Sequence, residues 1–151
     1  MRWLDADEQR AWRAWLDAHA GLSARLNREL QASSGLSLSD YDVLVHLTDV
    51  PQGRLRAFEL GEGLQWQKSR VSRQVTRMSA RGLVTRMASP EDGRGAYVTI
   101  TAAGRRAIEE AAPAHVELVR RLLFDGLTAA QVRTLASVAL SVVERLDDRP
   151  E

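Results

Sequence analysis

Cysteine is absent from the 151 residues. That excludes a disulfide framework, a thiolate metal site and sensing by thiol oxidation. Lysine is almost absent: Lys68 stands alone, and the other cationic side chains apart from histidine are arginines. No apolar run approaches ~18 residues, which argues against a membrane-spanning helix. The opening MRWLDADEQRAW lacks the apolar stretch of a signal peptide, so the cytoplasm is the expected location. Internal repeats and low-complexity stretches are missing as well. His19, His46 and His115 fall on three separate predicted helices without metal-ligand spacing. There is no His-Glu-x-x-His, glycine-rich phosphate loop or nucleophile elbow. No catalytic residue, metal or cofactor is expected.

What is present is an ordinary globular composition, 44% hydrophobic and 27% charged, in a length suited to one domain. The net charge of +1 conceals an asymmetry. Between Arg54 and Arg94 nine positive side chains face four acids, an excess of five, so the remainder carries an excess of four negative charges. A basic middle between acidic ends points to an anionic partner. Arginine suits bidentate contacts with phosphate and guanine.

The apolar spacing of Trp12, Trp15, Leu16, His19, Leu22, Leu26 and Leu30 predicts a long helix over 5–32, closed by Gly35. A second helix is expected from Ser37 or Ser39 to Val50, with Ser39 and Asp42 as its capping box and Leu38 and Val43 as its staple. After the turn at 51–53 comes a short helix over 55–62, weakened by Gly61, with Gly63-Leu64 as a tight connection. It leads to a helix over 67–81, stopped by Gly82. LVTRMAS and AYVTIT alternate as strands do, around the loop PEDGRG. Thr101 caps a long helix expected to break at Pro113. Thr128 with Gln131 opens a last helix, striped by Val132, Leu135, Ala139, Val142, Val143 and Leu146. The tail DDRPE is expected to fray.

The stretch WQKSRVSRQVTRM, residues 66–78, holds four cations and no acid. On a helix Val71, Val75 and Met78 share one side. Ser69, Arg73, Thr76 and Ala80 point the other way, flanked by Arg70, Ser72 and Arg77. Small residues allow close approach, and hydroxyl and guanidinium groups read base edges and phosphates. A solvated basic face is the bland reading of one such helix. A short helix, this helix, two strands and a charged loop in that order make a winged helix-turn-helix. Its second helix enters the major groove, and its loop reaches a minor groove. The expected fold is mainly α with a small β-hairpin. A winged-helix protein-interaction module is the alternative, although such modules commonly lose the positive face.

LSLSDYDVLVHL, KSRVSRQVTRMSARGLVTR and SPEDGRGAYVTITAAGRRAI resemble, in order and spacing, the MarR family of bacterial transcription factors, in an actinobacterial style. The likeness covers nearly the whole chain. It implies a single domain over 1–151, with 36–100 as the winged DNA-binding region and 1–35 and 101–151 as helices of dimerisation. It also implies a homodimer that binds a near-palindromic site in double-stranded DNA and represses until a small aromatic or phenolic effector binds. By position, Lys68, Ser69, Arg70, Ser72, Arg73, Thr76 and Arg77 match the family's recognition helix, and Asp92 and Arg94 its D-x-R wing. Gln67 departs from the Ser or Thr common at the helix start. Gly93 and Gly95 make the wing more flexible than usual. Trp15, His19, Asp42, His46 and Arg86 match the effector region, and Asp42 with Arg86 is expected to form a structural bridge. Trp12 and Trp15 are expected in the core or dimer interface, and Trp66 as packing between the two helices of the reading head.

Overall fold

The computed structural model describes residues 1–88 and 95–147. Most of the PEDGRG loop and the tail beyond Asp147 lie outside the described residues. The chain forms two compact units, Met1–His115 and Val116–Glu151.

In the first unit α1 spans Ala6–Ser34. Asp5 accepts from the backbone N–H groups of Asp7 and Glu8, both at 2.9 Å, and Glu8 accepts from the Asp5 N–H at 2.9 Å. Gly35 ends the helix at φ 71°, left-handed as expected. The predicted stripe divides along its length. Leu26 and Leu30 are buried, whereas Trp12, Trp15 and Leu16 are exposed.

Helix α2 spans Leu38–Thr48. Its capping box is Ser37 with Asp40, not Ser39 with Asp42. The sequence holds the S-x-x-D spacing twice in overlap, and tertiary contacts choose between the two. The earlier start buries Tyr41, Leu44 and Leu47 and turns Asp40 inward to a set of buried partners.

The next segment corrects the sequence reading. Arg54–Arg56 is a strand, β1, and the helix α3 starts only at Ala57 and runs to Leu64. With β2 (Val84–Ala88) and β3 (Ala96–Ile100) it makes an antiparallel sheet ordered β1-β3-β2. The hairpin would leave one edge of β3 unpaired, and β1 pairs along it, setting Leu55 opposite Val98. The expected hairpin is thus two strands of three. Gly61 and Gly63 are sites of close approach and both lie within α3. A Cβ on Gly61 would sit 3.1 Å from the Trp66 carbonyl oxygen, and one on Gly63 2.9 Å from the His46 ring. The turn that follows centres on Gln65, left-handed at φ 55° and tied by its side-chain amide to the Glu62 carbonyl at 2.8 Å.

Helix α4 spans Lys68–Ala80. The core gathers Val43, Leu44 and Leu47 of α2, Leu60 of α3, Val71, Val75 and Met78 of α4, and Val84, Val98 and Ile100 of the sheet. Helix α5 spans Ala102–Val119. The Thr101 hydroxyl accepts from the Gly104 N–H at 3.0 Å and lies 2.6 Å from the Gly82 carbonyl oxygen. Pro113 does not interrupt α5. Pro113 and Glu109 are both exposed, so water can meet the Glu109 carbonyl that the proline leaves unbonded.

In the second unit a π-helical turn, Arg120–Phe124, follows α5, and α6 spans Ala129–Asp147. The Thr128–Gln131 capping box is present in both directions, at 2.8 and 3.2 Å. Val138, Leu140, Val142, Val143 and Leu146 are exposed. Among the described residues no single helix is long and apolar enough to cross a membrane.

Candidate nucleic-acid interface

Helix α4 has two chemically different sides. Val71, Gln74, Val75 and Met78 are buried. Lys68, Ser69, Arg70, Arg73, Thr76 and Arg77 are exposed, and Ser72 is half-buried. The helix contains no acid. Gln67 makes no side-chain cap, in line with the departure seen in the sequence. The first-turn amides therefore keep their partial positive charge uncompensated. The Arg70 guanidinium lies over the Trp66 ring, 4.1 Å from its centroid. That stack holds the arginine at the start of the helix, while Trp66 packs against the core as expected. The Thr76 hydroxyl donates to the Ser72 carbonyl at 2.8 Å. Asp92 and Arg94 lie outside the described residues. Gly95, just after them, has φ 95°.

The MarR-family sequence pattern matches residues 34–95, from the last residue of α1 to Gly95. Sco3205 of Streptomyces coelicolor, a MarR family transcriptional regulator solved in complex with DNA, is 36% identical. It superposes at a TM-score of 0.93, over 100% of this chain and 93% of its own. The chain belongs to the MarR family. AbsC, a MarR family transcriptional regulator of the same organism, is 34% identical at a TM-score of 0.91, covering 99% of this chain and 100% of its own. The HTH-type transcriptional repressor IacR of Pseudomonas putida is 40% identical over 79 residues, 52% of this chain. The match spans about half of IacR, 47% of its length. As a MarR-family member the chain is a transcriptional regulator and not an enzyme.

In this MarR-family chain the residues expected at the effector region do not all come together. Asp42 and His46 do: they lie one turn apart on α2, half-buried, with the His46 Nδ1–H donating to the Asp42 carbonyl at 2.9 Å. Trp15 and His19 stand exposed on α1. Arg86 does not pair with Asp42. Its Nη1 lies 3.4 Å from the Ser72 hydroxyl, at the α4 side of the sheet. The structural bridge is instead Asp40–Arg81, at 2.6 Å. The bridge falls on the acid two residues earlier on α2 than expected, the same offset as in the capping box.

His115 of α5 joins the Asp42 cluster, and no spacing in the sequence signalled it. Its ring lies 4.2 Å from the Tyr41 ring, centroid to centroid. Its Nδ1 is buried and has no hydrogen-bond partner among the described residues. Burial lowers the His115 pKa from 6.5, and the Asp42 carboxylate offsets part of that. Burial raises the Asp42 pKa from 3.8, against the pull of His46, His115 and Arg70. Among the described residues no group of three or more acidic or histidine side chains is placed to hold a metal.

A second buried polar set was also missed. Asp40 and Gln74 are each 3% exposed. Asp40 Oδ1 accepts from Gln74 Nε2 at 2.6 Å. Asp40 Oδ2 accepts from the Ser37 N–H at 2.8 Å and from Arg81 Nη1 at 2.6 Å. Arg81 Nη2 donates to the Gly35 carbonyl at 2.8 Å, and Arg77 Nη2 donates to Gln74 Oε1 at 2.6 Å.

Proposed function

We propose that this regulator works as a cytoplasmic homodimer that binds a near-palindromic duplex site and represses until a small effector displaces it. The outward face of α4 carries the reading: an acid-free helix, apolar on its buried side apart from Gln74, with four cations and three hydroxyls available to DNA. Lys68, Ser69, Arg70, Ser72, Arg73, Thr76 and Arg77 are the major-groove set, and Asp92 and Arg94 the wing's minor-groove set. Residues 36–100 are the DNA-binding region. Residues 1–35 and 101–151 supply the dimer contact, supported by the exposed Trp12, Trp15 and Leu16 on α1 and Val138, Leu140, Val142, Val143 and Leu146 on α6. An apolar surface of that extent on a regulator is what a partner subunit covers. A small aromatic or phenolic acid is the proposed effector. The Asp42–His46 pair is its centre, with Trp15, His19 and Arg86 as further candidates.

The test is binding to sites selected from a random DNA pool. Arg73→Ala is expected to cost affinity and to relax preference at one position per half-site. A good bidentate arginine–guanine pair supplies ~1–3 kcal/mol of discrimination. Arg94→Ala is expected to weaken good and poor sites alike and to flatten the salt dependence. An Arg73→Ala protein that keeps the wild-type ranking of sites refutes the recognition-helix assignment. A monomeric mass at micromolar concentration refutes the dimer.

A further inference from the structure

We infer that Gln74, set by Asp40, is a positioning residue that holds the Arg77 guanidinium ready for DNA; the inference rests on the reading of Arg77 as a DNA contact. A glutamine amide has two unlike ends, an acceptor oxygen and a donor nitrogen. The carboxylate of Asp40 can only accept, so the Gln74 nitrogen must face it, at 2.6 Å. The oxygen is then left to face Arg77, also at 2.6 Å. Turning the amide over would set carbonyl oxygen against carboxylate and NH₂ against guanidinium, replacing two attractions with two repulsions.

Asp40 is itself fixed from the other side. The Ser37 N–H and Arg81 both hold its Oδ2, and Arg81 is anchored on the carbonyl of Gly35, the residue that ends α1. Water cannot substitute inside the chain, because Asp40 and Gln74 are each 3% exposed. A continuous line of complementary donors and acceptors thus runs from the α1–α2 corner, through the interior, to the outer face of the recognition helix. An arginine held in one geometry before binding loses less side-chain freedom when it meets DNA. For one rotamer-rich side chain that saving is worth roughly two- to tenfold in affinity.

The experiment is a set of double-mutant cycles on the full chain and a selected duplex site, with Arg77→Ala tested in the wild-type and Gln74→Met backgrounds. Methionine keeps the length and the apolar contacts and removes both polar ends. Gln74→Met is expected to weaken binding by about two- to tenfold for each half-site, roughly four- to a hundredfold for the dimer, and Arg77→Ala to lose a smaller factor there than in the wild type. Lys68→Ala, six residues before Gln74 on the same helix, is expected to lose the same factor in both backgrounds. Fold-losses of Gln74→Met and Arg77→Ala that simply multiply overturn the inference and leave the DNA reading intact. An Arg77→Ala protein that binds like wild type removes Arg77 from the interface and overturns the inference together with the reading of Arg77 as a DNA contact. If Gln74→Met loses its cooperative melt, Asp40→Asn takes its place. The shorter amide introduced there would turn its oxygen to Ser37 and Arg81 and its NH₂ to Gln74, flip the glutamine, and so release Arg77. The same shrinkage of the Arg77→Ala factor is expected, and an unchanged factor overturns the inference.

Discussion

Gly104→Ala should destabilise the protein, against the ordinary preference of helices. Gly104 sits inside α5, where alanine is favoured over glycine by ~1 kcal/mol. At this position the added Cβ would fall well inside contact distance of the Leu83 carbonyl oxygen, 2.9 Å from Ile100 Cγ1 and 3.1 Å from the Leu83 carbonyl carbon. The Leu83 atoms are backbone and cannot swing aside, so the start of α5 must move by roughly an ångström. That shift strains the bond from the Thr101 N–H to the Leu83 carbonyl at 3.1 Å, and the contact of the Thr101 hydroxyl with the same oxygen at 3.0 Å. Overpacking costs about 1–3 kcal/mol, and each weakened hydrogen bond ~0.5–1.5 kcal/mol. Set against the helix preference, the net loss is about 2 kcal/mol, or roughly 4–8 °C in Tm for a chain of this size. Gly21→Ala is the control, because nothing lies within 4 Å of its added Cβ. It should raise stability by up to ~1 kcal/mol. Melting curves at equal protein concentration decide the matter. A Gly104→Ala protein that melts at or above wild type, beside a stabilised Gly21→Ala, would refute the close-packing argument.

Two further outcomes are expected. Asp40→Ala should lose about 3 kcal/mol by denaturant unfolding, since it strands the Ser37 N–H and the Gln74 amide in a buried site; a loss under ~1 kcal/mol would show that the network is incidental. His115 has its folded pKa depressed by burial, so the unfolded chain binds the proton more tightly. Its contribution is therefore complete above the unfolded value of 6.5 and is lost as pH falls through that value toward the lower folded one. Asp42, raised by burial, acts in the opposite sense: its contribution is complete below 3.8 and lost as pH rises through its folded value. His115→Phe should lose less melting temperature than wild type between about pH 7 and 5.5, and equal losses would count against a titrating buried ring.

The helices were legible because apolar spacing reports which side of an element is buried. It placed Val71, Val75 and Met78 inward and Arg73 and Thr76 outward, as the structure has them. Pattern does not report which polar group meets which. Asp40 reaches Gln74 across 34 positions and Arg81 across 41, and no local rule links them. The two-residue error at the start of α2 follows from this, because Ser37 and Ser39 are locally equivalent and only the buried partners of Asp40 distinguish them. β1 was invisible for a related reason: three residues cannot display alternation, and its pairing is dictated by the free edge of β3. The glycines of α3 read locally as weakness, whereas their neighbours in space make them necessary.

The uncapped start of α4 has a meaning for evolution and for design. Helices α1 and α2 open on a capping box closed by an acid, and α6 on Thr128 with Gln131, whereas α4 opens on Gln67 with no side-chain cap and no carboxylate in its first turn. A Ser or Asp at such a position is worth ~1 kcal/mol, so a search for stability alone would install one. An aspartate there would also set a negative charge at the start of an acid-free helix, the one proposed to approach phosphate. Under that proposal, selection for tighter folding and selection for an anionic partner pull position 67 in opposite directions. Under the proposed function, a stabilised consensus sequence that caps this helix would trade away DNA affinity at the open start of α4.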